Sequence, residues 1–487
     1  MPTTQPIRPV IAFLQPAAFV ALAFVALALV APALGAQAPA APAAAAAPIA
    51  PAWVARLDSL MLSELERTRT PGAQVAVVVD GKVVHARGYG VADIETGRPV
   101  TARTLFRVGS VTKMVTAAAL TQLAADGKLD LDAPIGTYVP EIAGRRVATV
   151  TTHQLLTHSA GWLDNAIPYG RMGEGALGEV FREVTDTLFF TGPGRVISYS
   201  NPSYSMAGYV AEMAGKGRFG SLVDQYVVKA MGMPHATFRP LQALTLDFSQ
   251  GHVGQAGNPG AIVRPFTENT AQWAAGFLMA SAGEMANFAI TLMDGGMLEG
   301  RRVLAESAVK RMTTGYMPIP GNPNAKYGYG LMIQRSGEEL VWQHGGSING
   351  FDAQLTMFPE RKLAVVVLDN RSGAPLQGVT DLVAREVAGI QRPPTPEPPA
   401  ERVATPAERA QLVGRYAMGN TRVELFEEGG ELKFRQGPVT LPVRLVGDER
   451  IVVAPPGGAK VTLLLVRGAD GRVEYLHQGL RAIARQP

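Results

Sequence analysis

The pattern of apolar and polar residues divides the chain into two parts. Over residues 53–391, strand-like runs alternate with helix-like runs, whereas residues 406–487 contain only short strand-like runs between turns. Near the start, residues 73–80 and 83–90 flank a Gly81-Lys82 turn. Two strand-like runs around such a turn predict a β-hairpin.

The end of the first part is again strand-like. Residues 339–343, 353–358 and 363–368 predict three consecutive strands, and residues 378–388 predict a closing helix. Strands therefore lie at both ends, with mostly helix and loop between them. This order predicts an α/β (α+β) domain over residues 53–391, in which an antiparallel sheet from both ends is flanked by helices and carries a helical subdomain.

A proline-rich segment separates the two parts. Residues 392–405 include Pro393-Pro394-Thr395-Pro396 and predict a stiff, extended linker. Beyond it, short strand-like runs flank Gly429-Gly430 and Asp470-Gly471. Hairpins of this kind predict a small all-β barrel or sandwich domain over residues 406–487.

The N-terminus has the composition of a targeting segment. Arg8 precedes an apolar run over residues 17–31, and small residues follow to Ala36. This pattern predicts a signal peptide over residues 1–35, cleaved after Gly35, and an Ala/Pro-rich tether over residues 36–52. We therefore expect an exported protein, periplasmic or secreted, with membrane contact only through this segment. An uncleaved membrane anchor is the alternative.

Overall composition excludes several classes of function. The 487 residues include no cysteine and carry a net charge of only +4, with 47% hydrophobic residues. Disulfides, thiol catalysis and thiolate metal sites are therefore excluded. The sequence contains no basic run of the kind that binds nucleic acid, so we expect no nucleic-acid partner. His153 and His158 are five residues apart, off the spacing for a shared helical face, and we interpret them as structural residues rather than metal ligands. We expect no metal and no organic cofactor.

Ser110 and Lys113 begin a helix-like run over residues 110–125. Residues three apart share one face of a helix, so the amine can meet the hydroxyl. A partly desolvated lysine near a helix N-terminus has a lowered pKa and can take the proton of a serine nucleophile. The pattern alone also fits a helix N-cap followed by a surface lysine. That is our interpretation of the second Ser-x-x-Lys, Ser307 to Lys310.

Tyr199 and Asn201 follow a Gly-Pro-Gly turn over residues 192–194, which predicts a loop. A tyrosine near two cations can be deprotonated enough to act as a base and can then protonate a leaving group. An asparagine side chain can hydrogen-bond a substrate carbonyl or amide. A packed aromatic residue with a satisfied hydroxyl is the alternative interpretation of Tyr199.

The segment His344-Gly345-Gly346-Ser347 follows the predicted strand at residues 339–343, in a strand-turn-strand context. Glycines let the backbone approach a ligand closely, because no Cβ intervenes. The N–H of Ser347 can then pair with that of Ser110 as an oxyanion hole. His344 is a candidate for binding a substrate carboxylate or for joining the proton relay.

Together, in this order, these motifs resemble the serine hydrolases of the class C β-lactamase and penicillin-binding-protein superfamily, which includes D-stereospecific peptidases and esterases. The similarity covers roughly residues 53–390. Further segments that resemble the family lie at residues 106–113, 127–135, 151–161, 276–282 and 327–330. The second part resembles the lipocalin-like domain that some members carry.

The resemblance implies a β-lactamase/transpeptidase-like fold and a role for each motif. Ser110 would be the acylated nucleophile, and Lys113 and Tyr199 the shared general base, with Tyr199 returning the proton. Asn201 would contact the acyl side chain of the substrate. The backbone N–H groups of Ser110 and Ser347 would hold the oxyanion.

One motif departs from the family pattern and affects the substrate. His344 stands where many members have the lysine of a Lys-Thr-Gly motif, and a neutral imidazole holds a carboxylate less firmly than an ammonium does. The resemblance therefore implies an esterase or D-amino-acid peptidase acting on small ester, amide or peptide-like substrates, with cell-wall peptides and β-lactams as candidates. The alternatives are a β-lactamase, or a penicillin-binding sensor that is acylated without turnover.

Overall fold

The computed structural model describes residues 51–164, 171–254, 260–373, 375–393, 397, 399–455 and 458–487. The predicted signal peptide, nearly all of the predicted tether, and Pro394–Pro396 and Pro398 of the predicted linker lie outside the described residues. No helix within the described residues is long and apolar enough to span a bilayer.

A nine-stranded antiparallel sheet forms the centre of the first domain. Its middle joins the two ends of the domain, because Gly72–Val79 pairs with Leu363–Asp369, from Ala73 opposite Asp369 to Val79 opposite Leu363. The expected assembly of the sheet from both ends is confirmed. In spatial order the strands are Met317–Ile319, Asn322–Tyr327, Met332–Ser336, Glu339–Ile348, Phe351–Phe358, Leu363–Asp369, Gly72–Val79, Lys82–Asp93 and Arg98–Pro99.

Helices cover both faces of this sheet. Ala52–Thr68 and Val379–Ala388 pack on one face through a cluster that includes Leu57, Met61 and Val383. The other face packs against Ala282–Met293 and the helical subdomain, within the largest apolar core. The remaining helices are Thr112–Ala125, Thr152–Leu156, Ala176–Arg182, Asn201–Gly215, Phe219–Val223, Pro240–Ala243, Trp273–Gly276, Glu306–Met312 and Pro406–Leu412.

The C-terminal domain is an antiparallel barrel of eight strands. Val439–Val446 pairs with both Glu431–Gln436 and Arg450–Val453, and this second pairing closes the barrel. Alternate side chains fill its interior with an apolar cluster that includes Leu425 and Ile451. The other strands are Gly414–Met418, Thr421–Glu428, Val461–Arg467, Val473–Gln478 and Arg481–Arg485, and Glu401–Arg402 adds a short edge strand.

Candidate active site

Ser110 lies at the end of the sheet where the helical subdomain begins. It is the middle residue of a 3₁₀ turn, Gly109–Val111, which leads directly into the helix Thr112–Ala125, hereafter the nucleophile helix. The first ten residues of this helix are buried, so the helix is enclosed on all sides at the end that follows Ser110. Ser110 itself is partly exposed and lines an open pocket.

Lys113 is completely buried beneath Ser110. Its Nζ atom lies 3.1 Å from Ser110 Oγ, 2.8 Å from Asn201 Oδ1 and 2.6 Å from the carbonyl oxygen of Ala275. Burial lowers the pKa of Lys113 to about 7. Near neutral pH, Lys113 is therefore a neutral amine in a large fraction of the molecules, and that amine is placed to accept the Ser110 proton.

Tyr199 lies beside the same serine. The Tyr199 hydroxyl and the Ser110 side chain are hydrogen-bonded, and Lys113 Nζ lies 4.7 Å from the centre of the Tyr199 ring. Burial raises the pKa of Tyr199, which is opposite to the expectation of a deprotonated tyrosine. The geometry favours Lys113 as the proton acceptor and a neutral Tyr199 as the group that passes a proton on.

Asn201 connects the base to the pocket. It is the first residue of the helix Asn201–Gly215, its side-chain oxygen accepts from Lys113, and it lines the pocket beside Ser110. Its backbone N–H donates to Asp164 Oδ1 at 2.9 Å. One residue therefore both fixes Lys113 and lines the pocket.

The oxyanion donors come from two separate segments. The strand Glu339–Ile348 passes so close to the nucleophile turn that a Cβ on Gly346 would lie 2.9 Å from Ser110 N. A Cβ on Gly109 would lie 2.7 Å from Ser347 N. Glycine at both positions brings the two N–H groups together, and Ser110 and Ser347 line the same pocket. This arrangement matches an oxyanion hole.

The strand context of these residues was predicted incorrectly. Residues 344–347 were expected in a turn after a strand ending at Gln343, but the strand runs to Ile348 and the turn is at Asn349-Gly350. Gly345 pairs with Gln354 within the sheet and lines a different cavity from the one at Ser110. Gly345 and Gly346 stay in the strand because their backbones pair with Gln354 and Ala353 of the neighbouring strand Phe351–Phe358.

His344 does not reach the pocket. Its side chain is buried, with Nε2 3.0 Å from the Tyr327 hydroxyl and Nδ1 2.5 Å from the carbonyl oxygen of Gly345. Burial, followed by the charge of Lys113, lowers the pKa of His344 to about 3. The ring is therefore neutral and enclosed, and the structure does not bring it where it could bind a substrate carboxylate.

The pocket beside Ser110 has a volume of about 450 Å³. None of its described lining residues carries a formal charge. Besides Ser110, Asn201 and Ser347, they are Thr267, Gln272, Ala275, Gly276, Phe277, Ile348, Asn349, Ser372 and Gly373. Sequence reasoning missed the polar members of this wall, because Thr267 and Gln272, Asn349, and Ser372 belong to three separate segments without a motif.

Comparison with known proteins identifies the family. The family model described as "Beta-lactamase" matches residues 57–389, well over half of the chain. The chain belongs to the beta-lactamase family. It is thus related to serine hydrolases, and its fold is the beta-lactamase fold followed by a closed eight-stranded barrel.

Relatives of this beta-lactamase-family chain bear different names. It is 27% identical to penicillin-binding protein 4 of Amycolatopsis lactamdurans, over 75% of this chain and 96% of that protein. It is also 27% identical to a D-aminopeptidase of Gluconobacter oxydans, over 80% of this chain and 71% of that protein. A crystal structure of SurE superposes with a TM-score of 0.75 at 27% identity, covering 89% of this chain and 99% of the SurE chain.

The two histidines considered as metal ligands have separate partners in this beta-lactamase fold. His153 Nδ1 lies 2.7 Å from the Tyr329 hydroxyl, and the backbone N–H of Ser200 donates to His158 Nδ1 at 3.1 Å. Within the described ranges, no group of three or more metal-ligating side chains converges.

Proposed function

We propose that this protein hydrolyses small, uncharged esters and amides through an acyl-enzyme on Ser110. The observation that carries the proposal is the pocket at the nucleophile, whose described lining residues are all uncharged. A substrate carboxylate or ammonium would enter it without an ionic partner, at a cost in desolvation. A neutral substrate avoids that cost.

The geometry around Ser110 supports a two-step mechanism. In acylation, Lys113 takes the Ser110 proton while Oγ attacks the carbonyl carbon of the substrate. The developing oxyanion accepts hydrogen bonds from the backbone N–H groups of Ser110 and Ser347. Tyr199 then passes its proton to the departing oxygen or nitrogen as the bond to it breaks, and it receives in return the proton that Lys113 took from Ser110. In deacylation, a water molecule attacks the ester carbonyl, its proton moves to the Lys113–Tyr199 pair, and Ser110 leaves with a proton.

The buried, neutral His344 supports the preference for uncharged substrates. Penicillins and D-alanyl peptides carry a carboxylate near the scissile bond, and neither His344 nor any described lining residue offers it a cation. We therefore place neutral esters first, amides of D-amino-acid peptides second, and β-lactams last among the candidate substrates.

A matched pair of substrates tests this proposal directly. N-acetyl-D-alanyl-D-alanine and its C-terminal amide differ only in the terminal charge, and p-nitrophenyl butyrate and nitrocefin extend the comparison to esters and β-lactams. We expect kcat/KM to be higher for the C-terminal amide than for the free acid, highest for the ester and lowest for nitrocefin. Faster cleavage of the free acid would refute the substrate assignment.

Intact-protein mass spectrometry separates turnover from permanent acylation. On incubation with a substrate, we expect a transient adduct on Ser110, or none, together with released product. A lasting adduct on Ser110 after exposure to penicillin, without product, would instead indicate a sensor. Ser110→Ala provides the matched control, because it removes the acylated oxygen.

We also infer that the protein is exported, from the pattern of residues 1–35. N-terminal sequencing of protein recovered outside the cytoplasm should begin at Ala36. A protein retained in the cytoplasm with its full N-terminus would contradict this inference.

A further inference from the structure

The C-terminal barrel contacts the segment that carries Tyr199. The turn between the strands Val473–Gln478 and Arg481–Arg485 lies against residues 197–201 of the first domain. The N–H of Tyr199 donates to the carbonyl oxygen of Leu480 at 2.7 Å. The backbone partner of the catalytic candidate Tyr199 is therefore supplied by the other domain.

Two more hydrogen bonds join the same segments. His477 Nε2 lies 2.9 Å from the carbonyl oxygen of Ile197, and the N–H of Ala482 donates to Ser198 Oγ at 3.2 Å. His477 and Ala482 are completely buried. The residues before and after the turn thus hold the segment that leads into Tyr199.

An ion pair between the domains extends this contact to Asn201. Asp164 Oδ2 accepts two hydrogen bonds from Arg481, from Nε at 2.9 Å and from Nη2. Asp164 Oδ1 accepts from the N–H of Asn201 at 2.9 Å. The Asp164 side chain is only 3% exposed, so its orientation is fixed by these donors. The Arg481 guanidinium also lies 5.3 Å from the centre of the Tyr199 ring.

We propose that Leu480, in this turn of the barrel, and Arg481, at the start of the next strand, together position the active site and hold Tyr199 and Asn201 in register with Ser110 and Lys113. Arg481 is a positioning residue, because it does not line the pocket and acts through Asp164 and Tyr199. This inference rests on the proposed acylation of Ser110. Small displacements of a proton-transfer group from its partner cost large factors in rate, so the contact bears directly on activity.

The principal test is Arg481→Ala in the full chain, with Arg195→Ala as the matched control. Arg195 also forms an ion pair with the barrel, to Glu474. Its side chain donates hydrogen bonds to Glu474 and not to residues 198–201. The readouts are the rate of Ser110 labelling by a fluorophosphonate probe, kcat and KM on p-nitrophenyl butyrate, and the melting temperature.

We expect Arg481→Ala to lower the labelling rate and kcat by about ten- to a hundredfold with KM nearly unchanged. Arg481→Lys, which retains the charge but offers fewer fixed donors, should lie between the wild type and Arg481→Ala. Arg195→Ala should retain wild-type kinetics. Equal kinetic losses in Arg481→Ala and Arg195→Ala would overturn the proposal, since domain docking in general would then explain both.

A double-mutant cycle with Tyr199→Phe distinguishes positioning from a general loss of stability. If Arg481 acts through Tyr199, Arg481→Ala should cost less than about threefold in labelling rate when Tyr199 is already replaced. The same factor in both backgrounds would overturn the proposal. Undiminished labelling of Ser110→Ala would instead overturn the proposed function itself, so the two failures are distinguishable.

Discussion

The chain contains the same four-residue pattern twice, at the start of two helices that pack against each other. Ser110 and Lys113 stand at the buried end of the nucleophile helix, whereas Ser307 and Lys310 lie on the exposed face of Glu306–Met312. Identical spacing thus gives a base with a pKa of about 7 in one place and a solvated surface residue in the other. Burial and neighbouring acceptors, rather than spacing, distinguish the two pairs.

The largest difference should come from replacing each serine. Ser110→Ala removes the attacking oxygen and should lower kcat by roughly 10⁴-fold or more on any substrate of the protein. Ser307→Ala changes an exposed hydroxyl and should leave kcat unchanged. Steady-state kinetics with p-nitrophenyl butyrate check both, and equal activities of the two variants would remove the basis of the comparison.

Replacing each lysine should give the next largest difference. Lys113→Met retains a long buried side chain but removes the base, and should slow acylation by about 10²- to 10⁴-fold. Lys310→Met should have no measurable effect on acylation. Stopped-flow measurement of the acylation step tests this pair. Near-wild-type acylation by Lys113→Met would mean that another group takes the proton.

A third difference concerns the strand that accompanies only the first pair. In Gly346→Ala the new Cβ would lie 2.1 Å from the carbonyl oxygen of Val108 and 2.9 Å from Ser110 N, so the oxyanion donors must separate. We expect kcat to fall by about 10²- to 10³-fold. Gly283→Ala is the control, because no atom lies within 4 Å of the added Cβ. If both variants retained full activity, the close approach would not matter for catalysis.

The pH dependence should give the smallest effect. Acylation needs neutral Lys113, which becomes protonated as the pH falls through about 7. The value of kcat/KM should therefore fall about tenfold for each pH unit well below that pKa and level off above it. A pH profile with a neutral ester checks this. An activity that falls as the pH rises from about 6 to about 8 would contradict the assignment of Lys113 as base.

Strand-rich runs beside clear turns made part of the sheet predictable, whereas the end of the strand Glu339–Ile348 was not predictable from local signals. The hairpin expected at residues 73–80 and 83–90 is present as Gly72–Val79 and Lys82–Asp93, because two runs rich in β-branched and apolar residues flank a glycine turn. The strand Glu339–Ile348 was cut short in the prediction, because two glycines resemble a turn when the neighbouring strand is unknown. The predicted domain boundaries stay predictions.

The candidate site shows the same division. Sequence order and resemblance were enough to select Ser110, Lys113, Tyr199 and Asn201, and the fold brings these four together. The expectation for His344 as a carboxylate ligand came from its position in a motif, and burial against Tyr327 places it elsewhere. A motif specifies which residues are present, but not which way a strand turns its side chains.

By itself, the sequence determined the family and the order of the β-lactamase fold and the barrel, and it selected Ser110 as the candidate nucleophile, because these depend on residue types and their spacing along the chain. The tertiary structure decided the rest. It buried Lys113 and so set its pKa, enclosed His344, left the described pocket wall without charge, and placed the barrel's Arg481 against Asp164 beside Tyr199. These properties depend on desolvation and on contacts between distant segments, which no local pattern encodes.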